Sequence, residues 1–175
     1  GTEWTPVPED PDTPDPDEGG TTPPEPEEPV LTLSWPENPT YETYELKSVY
    51  EDGEVDLEIY SKYGIEQFLV KITSPHAGFM TAVVDQMGAR QDGEYAVLDL
   101  MDPEIADKMA GIGLAAGDDL KGADKTVPFV LKGLLPFITY FDGLEKGSIH
   151  TFIMDVTDAN GNNLSRELKF EYKGN

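Results

Sequence analysis

The chain changes character abruptly near Val30. Residues 1–29 contain nine prolines and ten Asp or Glu residues but no Lys or Arg, and only Trp4 and Val7 are large and apolar. Proline restricts the backbone, like charges repel one another, and so little apolar surface cannot offset the entropy lost on ordering. The sequence therefore predicts a disordered, acidic, proline-rich linker over residues 1–29 and one folded domain over residues 30–175.

Charge and cysteine content narrow the possible partners of the folded domain. All twelve basic residues of the chain lie in residues 30–175 against 25 acidic ones, which gives this part a net charge of −13. Such a charge argues against a nucleic acid partner and against binding to an anionic membrane surface. The sequence contains no cysteine, which excludes disulfides and thiolate metal sites, and no apolar stretch has the length of a membrane span.

The clearest local signal is a hairpin near the C-terminal end. Apolar residues alternate over residues 148–157 and again over residues 163–172, with Asn160-Gly161 between them. Asn-Gly readily supplies the positive φ angles that a tight turn requires. We therefore predict two antiparallel strands closed near Asn160-Gly161.

Further strands are predicted upstream of this hairpin, and helices are predicted between them. Alternation predicts strands over residues 30–35, 54–60, 67–73 and 127–131. Helical spacing predicts one helix from about Phe79 to Gly88, a second that begins at Asp102-Pro103, and a third around residues 134–141. This order predicts a mainly β sandwich in which short helices replace some strand connections.

Two segments carry a family resemblance. Residues 64–75 read Gly-Ile-Glu-Gln-Phe-Leu-Val-Lys-Ile-Thr-Ser-Pro, and residues 152–162 read Phe-Ile-Met-Asp-Val-Thr-Asp-Ala-Asn-Gly-Asn. Together they resemble the immunoglobulin-like modules of uncharacterised surface lipoproteins from Bacteroidetes, over most of residues 30–172. The resemblance implies an immunoglobulin-like β-sandwich and secretion to the bacterial outer membrane or cell surface. It also implies a lipid anchor on a cysteine that precedes this sequence, and it implies no catalytic residues.

Residues that could support catalysis or bind a metal are isolated in the sequence. His76 and His150 are the only histidines and lie in no metal-binding motif, which favours surface or half-buried structural roles for both. Ser74-Pro75-His76 lacks the Gly-x-Ser-x-Gly pattern of a hydrolase nucleophile. Residues 158–162 resemble half of a calcium loop, but Lys169 stands where an EF-hand has its bidentate glutamate. We expect no enzymatic activity, no cofactor and no effect of calcium.

Aromatic residues are dense between Trp35 and Tyr63. Sugar rings present apolar faces that stack on aromatic side chains, and nearby acids and amides can bind their hydroxyl groups. The candidate ligand-binding residues are Trp35, Tyr41, Tyr44, Tyr50 and Tyr60. The alternative is that they are strand and core residues, because tyrosine favours strands and Trp35 suits a core.

The sequence leaves two classes of function open. The favoured one is a monomeric, non-enzymatic adhesion or ligand-binding module at the cell surface, with a polysaccharide or a surface protein as its partner. The alternative is a structural spacer, or an assembly subunit that offers an edge strand to a partner. An exposed aromatic patch favours binding, whereas an unprotected edge strand and an inert surface favour the structural role.

Overall fold

The computed structural model of this protein describes residues 28–34 and 43–174. The predicted linker therefore lies outside the described residues, except for Glu28 and Pro29. Two of the candidate aromatic residues, Trp35 and Tyr41, lie outside them as well. None of the described helices is long and apolar enough to cross a membrane.

Two sheets contain the nine strands of the described residues. The strands in chain order are β1 (Leu31–Ser34), β2 (Thr43–Leu46), β3 (Asp56–Ser61), β4 (Ile65–Thr73), β5 (Arg90–Asp92), β6 (Tyr95–Asp99), β7 (Lys125–Val130), β8 (Ile149–Asp158) and β9 (Asn163–Tyr172). One sheet has the order β2-β9-β8-β4-β6-β5, and the other has the order β1-β3-β7. Neighbouring strands are antiparallel throughout, except for the parallel pair β2 and β9.

Three helices connect these strands: α1 (Ala77–Met87), α2 (Pro103–Ala110) and the short α3 (Pro136–Thr139), with a 3₁₀ turn over Gly117–Leu120. Two predicted boundaries are confirmed. Gly88 closes α1 with a φ of 86°, and the Asp102 side chain accepts a hydrogen bond from the Glu104 N–H at the start of α2. Helix α1 begins slightly earlier than predicted, because the His76 imidazole accepts a hydrogen bond from the Phe79 N–H and caps it.

The two sheets pack against each other through a continuous apolar core. The rings of Phe68 in β4 and Phe129 in β7 stack with centroids 5.0 Å apart, and both are fully buried. Val70 and Ile72 alternate with exposed or half-buried residues and point into the same core, as the strand pattern predicted. The fold is therefore mainly β, with two sheets and short helical connections, as the sequence indicated.

The predicted C-terminal hairpin is confirmed. Strands β8 and β9 pair in one register from Thr157 opposite Asn163 to Ile149 opposite Glu171. The turn residue Gly161 has a φ of 87°.

The carboxylate of Asp158 organises this turn from within. One oxygen accepts hydrogen bonds from the backbone N–H groups of Asn160 (2.9 Å) and Asn162 (2.8 Å), and the other accepts from the Asn162 side-chain amide (2.9 Å). Burial alone would raise the pKa of Asp158, but these hydrogen bonds outweigh it and lower the pKa. The turn therefore satisfies its own buried carboxylate.

Replacement of Gly161 tests the turn. No atom lies within 4 Å of the position that a Cβ would take, so a new side chain has room and only the backbone conformation opposes it. Gly161→Val should reduce the free energy of unfolding by about 1–3 kcal/mol, because a β-branched residue resists positive φ. The matched control is Gly161→Asn, since asparagine tolerates this conformation. Equal losses for the two variants in urea unfolding would contradict the turn assignment.

Candidate functional site

The structure places the predicted aromatic residues in different sheets. Tyr44 lies in β2 of the six-stranded sheet, where its ring packs 5.8 Å from that of Phe170. Tyr60 lies in β3 of the three-stranded sheet, and its hydroxyl donates a hydrogen bond to Asp124 (2.7 Å). Both side chains are half-buried. Closeness in sequence therefore does not place these two candidate residues on one surface.

Tyr50 requires a correction. Only 7% of this residue is exposed, and its hydroxyl donates to the Glu45 carbonyl oxygen (3.1 Å) and accepts from the Lys47 N–H (3.0 Å). Burial raises the pKa of the Tyr50 hydroxyl. Tyr50 is therefore a core residue that fastens the segment between β2 and β3, and it offers no free face for stacking.

An exposed apolar patch lies elsewhere, around Tyr140. Val49 and Tyr140 are the most exposed of the large hydrophobic residues described, at 76% and 69%, and both line one groove of about 440 Å³. Half-buried Ile112, Pro136 and Phe137 contribute further apolar surface to this groove. We call it the Tyr140 groove.

The exposure of Tyr140 follows from how α3 is anchored. Leu134, Leu135 and Ile138 are fully buried, which fixes this short segment on the core. Tyr140 comes directly after α3 and lies outside the buried apolar face that these three residues form. The same periodicity in the sequence could have identified Tyr140 as an outward residue, although Tyr140 lies far along the chain from the aromatic-rich segment.

A close backbone approach shapes the Tyr140 groove. A Cβ on Gly133 would lie 1.9 Å from the carbonyl oxygen of Ile112, so only glycine fits at this position. Gly133 and Ile112 both line the groove. The absence of a side chain therefore lets the segment after α2 and the turn before α3 lie side by side.

Polar groups border the apolar part of the groove. Ser48 and Lys132 line it, and the Lys132 ammonium pairs with the carboxylate of Asp52. This hydrogen bond raises the pKa of Lys132 and lowers that of Asp52, so both groups are charged at neutral pH. The Tyr140 groove thus combines an aromatic ring, aliphatic groups and a few hydrogen-bonding groups.

A second polar cluster surrounds His150. The sequence predicted a surface or half-buried position for this histidine, but the structure buries it fully. Its Nδ1 lies 2.7 Å from the Ser74 hydroxyl and its Nε2 lies 2.9 Å from the Ser148 hydroxyl. Ser148 donates its own proton to the Glu145 carbonyl oxygen (2.6 Å), so it must accept from Nε2–H. Burial lowers the pKa of His150, so at neutral pH the ring is neutral with its proton on Nε2, and Nδ1 accepts from the Ser74 hydroxyl.

The hydrogen bond from the Ser74 hydroxyl to His150 has the direction of one between a serine nucleophile and its general base, but half-buried Ser74 does not line the neighbouring groove. This groove has a volume of about 490 Å³ and is lined by His76 and Ser148. The Ser74 hydroxyl also accepts from the His76 N–H (3.0 Å), and His76 donates from Nε2 to the Asp142 carbonyl oxygen (2.7 Å). Every donor in the cluster has a partner, which supports structural roles for both histidines.

The described residues offer no ready metal site, since none of their His, Asp and Glu side chains form a group of three or more that could hold an ion. No family model, curated protein or solved structure matches the chain. The function of this protein must therefore be inferred from its fold and its surface chemistry.

The buried histidine makes stability depend on pH. Burial, with repulsion from His76, lowers the pKa of His150 to about 4, whereas in the unfolded chain it is about 6.5. The unfolded state therefore binds the proton first, and stability that is present above pH 6.5 is lost as the pH falls toward 4. We expect the free energy of unfolding to fall by about 1–2 kcal/mol between pH 6.5 and pH 5.

Urea unfolding across this pH range provides the measurement, and His150→Gln provides the comparison, because glutamine forms hydrogen bonds but does not titrate there. The variant should lose less stability than the wild type over the same range. Identical pH dependence in the two proteins would show that His150 is not the responsible group.

Proposed function

We propose that this chain is a non-enzymatic ligand-binding module with an immunoglobulin-like fold, displayed outside the cell on its acidic linker, and that the Tyr140 groove is its binding site. The observation that carries the proposal is that the two most exposed large hydrophobic residues described, Val49 and Tyr140, line the same groove. Exposed apolar surface is costly unless a partner covers it, and contiguous patches with a polar rim mark binding sites.

The strand order supports an immunoglobulin-like assignment. Such folds place strands A, B and E in one sheet and strands G, F and C in the other. Here β1-β3-β7 corresponds to A-B-E and β9-β8-β4 corresponds to G-F-C. The outer pair departs from the variable-type order, because α1 leads from β4 to the edge strand β5 and the chain then returns through β6.

The groove chemistry favours a sugar as ligand. An exposed tyrosine ring offers a face for the apolar side of a sugar, and Ser48, Lys132 and Asp52 offer partners for its hydroxyl groups. The net charge of −13 over residues 30–175 opposes the approach of a strongly anionic polymer. The ligand class that fits best is therefore a neutral polysaccharide.

The alternative role as an assembly subunit receives less support, because three of the four described edge strands, β1, β5 and β7, suit strand addition poorly. The edge strand β5 has three residues, and the edge strand β7 contains Pro128, which cannot donate a hydrogen bond to a neighbour. On β1, the Arg166 guanidinium donates to the Leu33 carbonyl oxygen (3.0 Å) and occupies an acceptor. A partner strand would find little free backbone at these edges.

The setting of the module rests on the resemblance to surface lipoproteins. In this proposal a lipid anchor lies N-terminal to the sequence, and the linker of residues 1–29 holds the domain away from the bacterial surface. The module acts as a monomer. Its contact with the membrane is then through the anchor alone.

Affinity electrophoresis on a panel of neutral polysaccharides tests the site. Tyr140→Ala should weaken retention of the protein by about 2- to 10-fold, the usual contribution of one aromatic contact. The melting temperature should hardly change, because the side chain is mostly exposed. The matched control is Tyr63→Ala, which removes an exposed tyrosine outside the groove and should bind like the wild type.

Two results would contradict the proposed function. One is that no polysaccharide in the panel retards the wild-type protein. The other is that Tyr140→Ala and Tyr63→Ala are retained equally, which would place any binding outside the Tyr140 groove.

A further inference from the structure

A separate apolar pocket lies among the three helices. It has a volume of about 300 Å³, and its lining includes Phe79, Val83 and Met87 from α1 and Met109 from α2. The ring of Phe141, after α3, closes another side and meets that of Phe79 edge to face at 5.7 Å. The volume is at the lower end of the range for small-molecule sites.

The pocket has one charged lining residue, and it is a lysine. Lys108, in the last turn of α2, lines the pocket together with the polar but neutral Gln86, and no acidic residue lines it. The Lys108 ammonium lies 3.8 Å from the position that a Cβ on Gly88 would take, which places it where α1 ends. Its charge is therefore at the edge of an otherwise apolar space.

Lys108 is also unpaired within the part of the chain that the structure describes. Its ammonium forms no ion pair and no side-chain hydrogen bond there, although the chain carries 35 acidic residues against twelve basic ones. Apart from Lys108 and Gln86, the lining consists of aromatic, aliphatic and thioether groups, which offer no hydrogen bonds to a polar ligand. The site is complementary to a molecule with an apolar body and a single negative group.

We propose that this pocket binds a small monocarboxylic acid with an apolar body, whose carboxylate pairs with Lys108. At about 30 Å³ per non-hydrogen atom the pocket has room for about ten such atoms, the size of a medium-chain fatty acid or an aryl-substituted propionic acid. A charge-assisted hydrogen bond orients the head group, and burial of the apolar body supplies most of the affinity. This site is distinct from the Tyr140 groove, although Ile112 and Phe137 line both.

The test uses the full chain, sodium octanoate as the probe and the methyl signals of methionine in NMR spectra. Met87 and Met109 line the pocket, whereas Met154 lies in β8 in the core of the sheets and serves as an internal control. Octanoate, kept below its micelle concentration, should shift the Met87 and Met109 signals in a saturable way and leave Met154 unchanged. Shifts that do not saturate, or equal shifts of all three, would overturn the proposal.

Three variants and one uncharged analogue, octanol, separate the contribution of the charge from that of the apolar body. Lys108→Gln should weaken octanoate binding about tenfold, while binding of uncharged octanol should stay the same. Lys62→Gln makes the same charge change outside the pocket and should have no effect. Ala82→Leu adds volume to the lining and should weaken both ligands. Equal binding of octanoate by Lys108→Gln and Lys62→Gln would overturn the proposal, whatever the Tyr140 groove binds.

Discussion

The contact between Phe68 and Phe129 is the constraint on which the rest of the structure depends. These two fully buried rings join the six-stranded sheet to the three-stranded sheet. Because side chains alternate along a strand, an inward Phe68 also fixes Val70 and Ile72 inward, and an inward Phe129 does the same for Val127. A register shift of one residue would expose all of these side chains, so the core and the strand pairing specify each other.

Local rules were enough to predict some elements but not others. The Asn160-Gly161 turn and the start of α2 at Asp102 follow from backbone conformation and capping, which depend on near neighbours. Strand β6 was not predicted, because its run Ala96-Val97-Leu98 is buried without alternation, and α1 contacts this strand. The parallel pairing of β2 with β9 joins residues far apart in the sequence, so no local pattern shows it.

The candidate site shows the same limit more sharply. Closeness in sequence gathered Tyr44, Tyr50 and Tyr60 into one hypothesis, but the chain turns between them, and the structure distributes them over a strand of each sheet and the core. Tyr140 is exposed because its neighbours in the segment around α3 are buried. Val49, from a distant loop, lines the same groove. A high density of aromatic residues in a sequence describes only its composition, whereas a binding surface requires side chains that are exposed on the same face of the fold.

The two proposed sites share a wall but differ in what they can recognise. Ile112 and Phe137 line both, so a ligand in the apolar pocket among the three helices would touch side chains that also form the Tyr140 groove. The pocket is apolar with one cation, whereas the groove is open and has both an ion pair and a hydroxyl at its border. A shallow, open groove buries little ligand surface and would bind weakly, and display of many copies, as we propose for this module, would offset that weakness by avidity. The pocket cannot benefit in this way, because a single small acid has no second group to engage another copy, so its affinity must come from burial and from Lys108 alone.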